Sequence, residues 1–170
     1  TPKPSSAASD VYKRQEIKNA IHQLEKIRSV NLRLVSQLLT PNIEAEGLRG
    51  AIESLCEQYS SSIKFGFEFE SSLDALTHEQ SLGVFRIVEQ ALINAITHGP
   101  ATKVVLKVRT NSPGAYIVEI TDNGPGVDTV TPGTGSVIID AWVSILQGKK
   151  EISSNIGQGY TLLVSFPVAK

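Results

Sequence analysis

The chain has 170 residues, of which 41% are hydrophobic and 19% are charged, and its formal net charge is −1. This composition is typical of one folded globular domain with an appendage and argues against a disordered chain. A nearly neutral chain without a basic cluster is not expected to bind nucleic acid, and a single cysteine, Cys56, excludes an internal disulfide and a multi-cysteine metal site.

Residues 1–15 are rich in Pro, Ser and Ala and lack helical periodicity, which predicts a disordered or non-native extension outside the fold. They also lack the apolar core of a signal peptide. The sequence contains no run of about 18 apolar residues, so no transmembrane helix is expected. We therefore expect a cytoplasmic segment without direct membrane contact, whether or not its parent protein is anchored.

Apolar residues recur at helical spacing from Glu16 to Leu39, and Pro41 ends the pattern. A helix of this length, about 24 residues, extends about 36 Å and needs a partner for its apolar stripe. We predict that residues 16–44 form a dimerisation helix with its linker, followed by a separate domain at 45–170.

The next segment predicts a helix, a strand and a second helix, at Ala45–Tyr59, Ile63–Glu70 and Thr77–His98. The strand alternates, with Ile63 and the three phenylalanines at 65, 67 and 69 facing inward. Thr77 and Gln80 have capping-box spacing, and Gly99-Pro100 ends the second helix.

The remaining chain predicts four strands and one helix: Lys103–Thr110, Ala115–Thr121, the helix Val137–Leu146, Glu151–Ser153 and Tyr160–Phe166. A turn at 111–114 joins the first two strands, a glycine-rich loop spans 122–135, and a turn at 155–159 joins the last two strands. Because these strands are linked as hairpins, we predict an α/β sandwich with a mixed, mainly antiparallel sheet.

A polar row runs along the predicted helix that ends near residue 98. Arg86, Gln90, Asn94 and His98 are spaced four residues apart on a helix that is otherwise mostly apolar. A solvated helix face would explain this row by itself, but the apolar flanks and the glycine-rich loop downstream favour a functional site.

Three glycine-containing segments follow in a fixed order, Asp122–Gly126 after a strand, Gly133–Ser136 before a helix and Gly157–Thr161 before the last strand. An acid at a strand end can accept a hydrogen bond from an exocyclic amine, and glycines let the backbone approach a flat ring. Glycines at a helix start expose N–H groups that can bind phosphate. Taken singly, each segment is equally well explained by an ordinary turn.

Together with Asn94, this order resembles the GHKL superfamily of ATP-binding domains, which implies a Bergerat-type two-layer α/β fold. Phe85–His98 resembles the N box, Asp122–Gly126 the G1 box and Gly133–Gly135 the G2 box. Within the superfamily, the chain is most similar to the sensor histidine kinases that include the nitrate and membrane-fluidity sensors. This similarity rests on the residue pattern of the N box, the short lid and the segment Leu32–Leu55.

The resemblance implies ATP and Mg²⁺ as cofactors, with Asn94 as the Mg²⁺ ligand and Asp122 as the acceptor for the adenine amine. It also implies further contacts with ATP, by His98 near the phosphates, Gly124 and Gly126 under the adenine, Gly133 and Gly135 at the phosphate lid, and the Thr161 hydroxyl near the adenine.

Three places depart from the superfamily pattern. The G2 box ends in Ser136 and is followed by residues 137–142 (VIIDAW) rather than by the usual Leu-x-x-Met. Gln90 stands where these kinases carry a catalytic Glu, four residues before Asn94, and Thr97 stands where a basic residue is common. The neighbouring acid, Glu89, cannot simply substitute, because on a helix Gln90 lies about 40° from Asn94 and Glu89 lies about 140° away.

The function implied is the ATP-binding catalytic domain of a sensor histidine kinase that forms a homodimer through its N-terminal helix and signals to a response regulator. No acceptor histidine is evident, because His22 is followed by Gln23 rather than by an acid. Two alternatives stay open, a nucleotide-binding and dimerisation module without phosphotransfer, and a GHKL serine kinase of the anti-sigma type.

Overall fold

The computed structural model describes residues 41–70, 73, 75–98, 101–111, 114–130 and 133–168, all within one compact unit, Thr40–Lys170. The extension predicted for residues 1–15 and the helix predicted for 16–39 lie outside the described residues. Among the described helices, none is both long enough and apolar enough to cross a bilayer.

The described residues form three helices and five strands, in the order α1 (Ile43–Glu57), β1 (Lys64–Phe69), α2 (His78–Thr97), β2 (Lys103–Asn111), β3 (Ala115–Asp122), α3 (Thr134–Ile145), β4 (Lys149–Ser154) and β5 (Tyr160–Pro167). Every element predicted for this part of the chain is present. α1 contains one residue outside helical geometry, Gly47 at φ 69° and ψ 172°.

The five strands form one sheet in the order β1-β2-β3-β5-β4. β1 pairs with β2 in parallel, and the other three pairings are antiparallel. This confirms the predicted mixed, mainly antiparallel sheet. The parallel pair is possible because α2 lies between β1 and β2 in the chain and returns it to the same end of the sheet.

The core lies between the sheet and the helices. Alternate residues of β3 and β5 are almost fully buried on the core-facing side, among them Val118 and Val164 with no exposed surface. The apolar residues predicted to lie on one side of α1, Leu48, Ile52, Leu55 and Cys56, are all buried. In β1, Phe65, Phe67 and Phe69 pack against the same core, as their alternation predicts.

α2 is the central helix, because it contacts α1, α3 and β3. It starts with the predicted capping box: the Gln80 backbone N–H donates to Thr77 Oγ1 at 3.2 Å, and the Thr77 backbone N–H donates to Gln80 Oε1 at 3.1 Å. These bonds fix the first turn of the helix that carries the polar row.

α3 starts three residues earlier than its sequence predicts, at Thr134 instead of Val137, with Gly133 as N-cap. Gly135 therefore lies inside the first helical turn and not in the loop before it. Two glycines in three residues disfavour a helix by propensity, so this extension depends on tertiary packing.

Candidate functional site

The polar row of α2 is only partly exposed, so a solvated face does not explain it. Gln90 is 3% exposed, and its Oε1 atom has no hydrogen-bond partner among the described residues. Asn94 is half-buried, whereas His98 is exposed and caps the end of α2 through its backbone N–H, which donates to the Asn94 carbonyl at 3.0 Å. A buried amide oxygen without a donor is unusual and points to a functional position.

Glu89 is buried on a different side of α2 from Asn94. Its carboxylate, 3% exposed, accepts a hydrogen bond from Arg86 at 2.9 Å. Burial raises the pKa of Glu89, and the guanidinium of Arg86 counteracts part of this rise. Burial raises the pKa of Tyr59, which lies two residues after the end of α1, and the charge of Glu89 raises it further. The carboxylate of Glu89 is therefore engaged by Arg86 of the same helix.

Asn94 lies against the first turn of α3. A methyl group on Gly135 would stand 2.7 Å from Asn94 Oδ1 and 3.3 Å from Nδ2, too close for an ordinary contact. Only glycine leaves the Asn94 amide in this position. The structure thus brings two of the predicted site residues together, an amide oxygen and the N-terminus of a 12-residue helix with its unpaired N–H groups.

Asp122 lies at the end of β3, in a turn that organises its carboxylate. The Gly124 backbone N–H donates to Asp122 Oδ1 at 2.7 Å. Burial raises the pKa of Asp122, while hydrogen bonds from the backbone N–H groups of Gly124 and Tyr160 lower it, and the effect of burial is the largest. A partly desolvated carboxylate of this kind gains from a further hydrogen-bond donor.

The backbone of the glycine-rich loop packs closely against the turn between β4 and β5. Gly126 has φ 63°, and a methyl group there would stand 2.0 Å from the carbonyl oxygen of Asn155. The Gly157 N–H donates to the Pro125 carbonyl at 2.6 Å. Similarly, Gly159 has φ 82°, and a methyl group on it would stand 2.0 Å from the Asp122 carbonyl. Backbone approaches of this closeness require glycine at both positions.

Asn123, which the sequence analysis did not single out, ties the end of β3 to the end of α2. Its Oδ1 accepts hydrogen bonds from the backbone N–H groups of Thr102 at 2.9 Å and Lys103 at 2.8 Å. The Ala101 N–H donates in turn to the Ala95 carbonyl at 3.4 Å. Asn94 and Asp122 consequently lie at the same end of the domain. The signal in the sequence is the asparagine of an Asp-Asn-Gly turn, which commonly bonds nearby backbone groups.

Thr161 lies on the opposite face of the sheet from Asp122. Residues directly across an antiparallel pair share a face, and Asp122 pairs with Tyr160, whereas Thr121 pairs with Thr161. The Thr161 hydroxyl is 3.1 Å from that of Thr121. The structure therefore does not bring the Thr161 hydroxyl to the face that carries Asp122.

Lys150 is a second residue that sequence reasoning missed. It points inward from β4, forms an ion pair with Asp140 of α3, and lies 3.5 Å from Ser136 Oγ in the first turn of α3. The alternation of β4, in which Lys150 and Ile152 share a face, is the signal that could have found it. The ion pair with Asp140 holds this ammonium near the first turn of α3.

These contacts, on a two-layer α/β domain, are of the kind that nucleotide-binding sites use. A carboxylate between glycine turns can accept a hydrogen bond from a base amine, and an amide oxygen beside a helix N-terminus can hold a hard cation and phosphate oxygens. Within the described residues, no group of three or more His, Cys, Asp or Glu side chains could hold a metal by itself. A cation at Asn94 would therefore take most of its ligands from phosphate and water, as Mg²⁺ does.

Residues 79–170 match the family model described as histidine kinase-, DNA gyrase B- and HSP90-like ATPase, and the chain belongs to this family. It is similar to two sensor kinases, the nitrate/nitrite sensor protein NarX of Escherichia coli K12 and the histidine-protein kinase/phosphatase DegS of Bacillus subtilis. The identity with NarX is 35%, over 48% of this chain and 14% of NarX, and the identity with DegS is 26%, over 66% of this chain and 31% of DegS. The chain thus spans less than a third of the length of either relative.

Two solved structures share the fold. The histidine kinase domain of the blue-light activated kinase EL346 of Erythrobacter litoralis has a TM-score of 0.58 at 17% identity, over 72% of this chain and 59% of that one. The histidine kinase AdeS of Acinetobacter baumannii has a TM-score of 0.56 at 19% identity, over 99% of this chain and 88% of that one. The predicted fold class and the predicted family are both confirmed.

Proposed function

We propose that this chain is the ATP-binding catalytic domain of a two-component sensor histidine kinase, and that it supplies the γ-phosphate of ATP for histidine phosphorylation. The observation that carries the proposal is the contact between Asn94 and Gly135. It joins a cation-binding amide oxygen to a phosphate-binding helix N-terminus, and this is the combination that a nucleoside triphosphate with its metal needs.

In this proposal the base lies at the Asp122 end of the site. The carboxylate of Asp122 accepts a hydrogen bond from the adenine amine, and Gly124 and Gly126 allow the loop to lie close to the ring. The carboxylate already accepts hydrogen bonds from the backbone N–H groups of Gly124 and Tyr160, and its remaining lone pairs are the acceptors for the base. A guanine base would present a carbonyl oxygen to this acceptor, so the site should prefer adenine.

The phosphates lie at the other end of the site, between α2 and α3. Asn94 holds Mg²⁺, and the N–H groups of the first turn of α3, including those near Gly133 and Gly135, bind the phosphate oxygens. His98 adds a polar group at the exposed end of the row. Mg²⁺ supplies charge neutralisation of the triphosphate when it is bound.

Because residue 90 is Gln and not Glu, it cannot act as a general base in phosphotransfer. Its amide is neutral and buried, so it can position a group by hydrogen bonding but cannot accept a proton as a carboxylate does. Catalysis by this domain is therefore positioning and charge neutralisation. With an acceptor helix supplied, a Gln90→Glu variant that gained no phosphotransfer would instead favour the nucleotide-binding module without phosphotransfer.

The partners proposed are a second copy, through the helix predicted before Pro41, and a response regulator. This helix lies outside the described residues, and removal of residues 1–40 is expected to give a monomer. The named relatives are sensor kinases, so they do not favour a serine kinase of the anti-sigma type. The cytoplasmic location stays part of the proposal.

The experiment that tests the proposal is a titration of the domain with a fluorescent ATP analogue, with and without Mg²⁺. We expect saturable binding that is tighter with Mg²⁺ and that ATP displaces better than GTP. Asp122→Ala should weaken this binding at least tenfold, whereas Asp128→Ala, which removes an exposed acid from the same loop, should leave it unchanged. Absence of saturable binding up to about 1 mM nucleotide would contradict the proposal.

A further inference from the structure

Two residues stand directly opposite Asp122 on the neighbouring strands, the buried Val104 of β2 and the aromatic Tyr160 of β5. In the antiparallel pairing of β3 with β5, Tyr160 stands directly opposite Asp122. Side chains in this relation share one face, with their Cβ atoms about 4.5–5.5 Å apart. Its neighbour Thr161 pairs with Thr121 and therefore points to the other face.

The shared face of Asp122 and Tyr160 is the one that the helices cover. The residues that follow Tyr160 on this face, Leu162 and Val164, are 1% and 0% exposed, and those that precede Asp122 on it, Ile120 and Val118, are also buried. Asp122 and Tyr160 end these two buried rows. Tyr160 packs against the core but is only partly buried, so part of its side chain remains accessible at the end of the core.

Two carboxylates lie within electrostatic range of the Tyr160 hydroxyl. Burial raises the pKa of its hydroxyl, and the nearby carboxylates of Asp122 and then Asp140 raise it further. Asp140 belongs to α3, one turn beyond Ser136. The Tyr160 hydroxyl therefore interacts electrostatically with the acid at the end of the sheet and with an acid of α3, and it remains neutral at physiological pH.

We propose that Tyr160 is a specificity-determining residue of the nucleotide site, whose ring packs against the adenine base held by Asp122. This inference rests on the proposed function, because it takes Asp122 as the acceptor for the base. A base bound to Asp122 on the helix-covered face has the ring of Tyr160 as its immediate neighbour across the strand pair. Contact of a base with an aromatic ring contributes about 1–3 kcal/mol as measured by alanine substitution, or roughly 5-fold to 150-fold in affinity.

The test compares ATP binding by four single variants. We expect Tyr160→Ala to weaken ATP binding about tenfold or more and Tyr160→Phe, which keeps the ring, to stay within about threefold of the unsubstituted chain. Competition by inorganic tripolyphosphate, which has no base, should be the same in both variants. Thr121→Val and Thr161→Val, which change the opposite face, should leave ATP affinity unchanged.

A second measurement needs no substitution. In the unsubstituted chain with bound ATP, nuclear Overhauser contacts are expected between the adenine ring protons and the ring protons of Tyr160. The inference is overturned if these contacts are missing from a chain that binds ATP, or if Tyr160→Ala folds and keeps full affinity. A larger loss from Thr161→Val than from Tyr160→Ala would also overturn it. If the unsubstituted chain binds no ATP, the proposed function itself fails, which is a different result.

Discussion

Gly135→Ala is the substitution that separates the function of the Asn94 contact from its effect on stability. In the first turn of α3, alanine is favoured over glycine by about 0.5–1 kcal/mol. The new methyl group would stand 2.7 Å from Asn94 Oδ1, about 0.8 Å short of an ordinary contact of roughly 3.5 Å. The Asn94 amide is the end of a rotatable side chain, and turning it away costs about 0.5–1.5 kcal/mol. The two effects nearly cancel, so the free energy of unfolding should change by less than about 1 kcal/mol.

The affinity for Mg²⁺-ATP should fall much more than the stability. A shift of about 1 Å moves the proposed metal ligand out of place, and changes that disturb ligand orientation typically cost 10-fold to 100-fold in affinity or activity. We therefore expect a loss of about 10-fold to 100-fold in the presence of Mg²⁺ and a small effect in its absence. The Gly66→Ala variant is the matched control, because its methyl group would meet only Val105, at 3.5 Å.

The assay is a titration with fluorescent ATP analogue at fixed Mg²⁺, combined with urea unfolding of each variant. If Gly135→Ala acts through Asn94, it should have almost no further effect in an Asn94→Ala background, since the two changes would remove the same interaction. Unchanged Mg²⁺-dependent affinity in Gly135→Ala, or a full loss in both backgrounds, would refute the reasoning that assigns the metal to Asn94.

Two further predictions concern stability. Gln147 directly follows the C-cap of α3 and lies in the left-handed region at φ 52°, and the next N–H, of Gly148, donates to the Val143 carbonyl at 2.8 Å. Gln147→Gly should therefore raise the free energy of unfolding by about 0.5–1 kcal/mol, and equal or lower stability in urea would contradict this. Burial raises the pKa of Asp122 above its usual value of 3.8. The folded state therefore binds this proton more tightly than the unfolded state does. The resulting gain in the free energy of unfolding is complete below pH 3.8 and is lost as the pH rises through the raised pKa. The stability of Asp122→Asn relative to the unsubstituted chain should thus increase from about pH 4 upward and then level off. Urea unfolding at a series of pH values measures this difference. A decrease would mean that the hydrogen bonds to the carboxylate outweigh its burial.

The elements of the fold were predictable because their signals are local. The capping box at Thr77 and Gln80 placed the start of α2, and the alternation of apolar residues located the strands. The hairpin links between the later strands indicated the antiparallel pairings. The start of α3 was predicted wrongly, because Gly135 disfavours a helix by propensity, whereas Gly133 serves as the N-cap and Gly135 lies in the first turn.

The strand register decides which side chains lie on the face of the sheet that carries Asp122. The sequence suggested a hydroxyl at Thr161, but the pairing of Asp122 with Tyr160 turns Thr161 to the other face. A shift of one residue along a strand reverses every side chain, so neighbouring positions cannot be assigned to a face without the partner strand. Asn123 and Lys150 were missed for a related reason, since their contacts join segments that are distant in the chain.

By itself, the sequence determined the helices and strands, the order of the glycine-containing segments and their resemblance to an ATP-binding superfamily. These properties follow from backbone preferences and from the spacing of apolar residues, which act within a few residues along the chain. Only the tertiary structure decided that Asn94 contacts α3 and that Tyr160 shares a face of the sheet with Asp122. Such contacts join side chains from separate elements, and their distances are set by how the helices pack on the sheet.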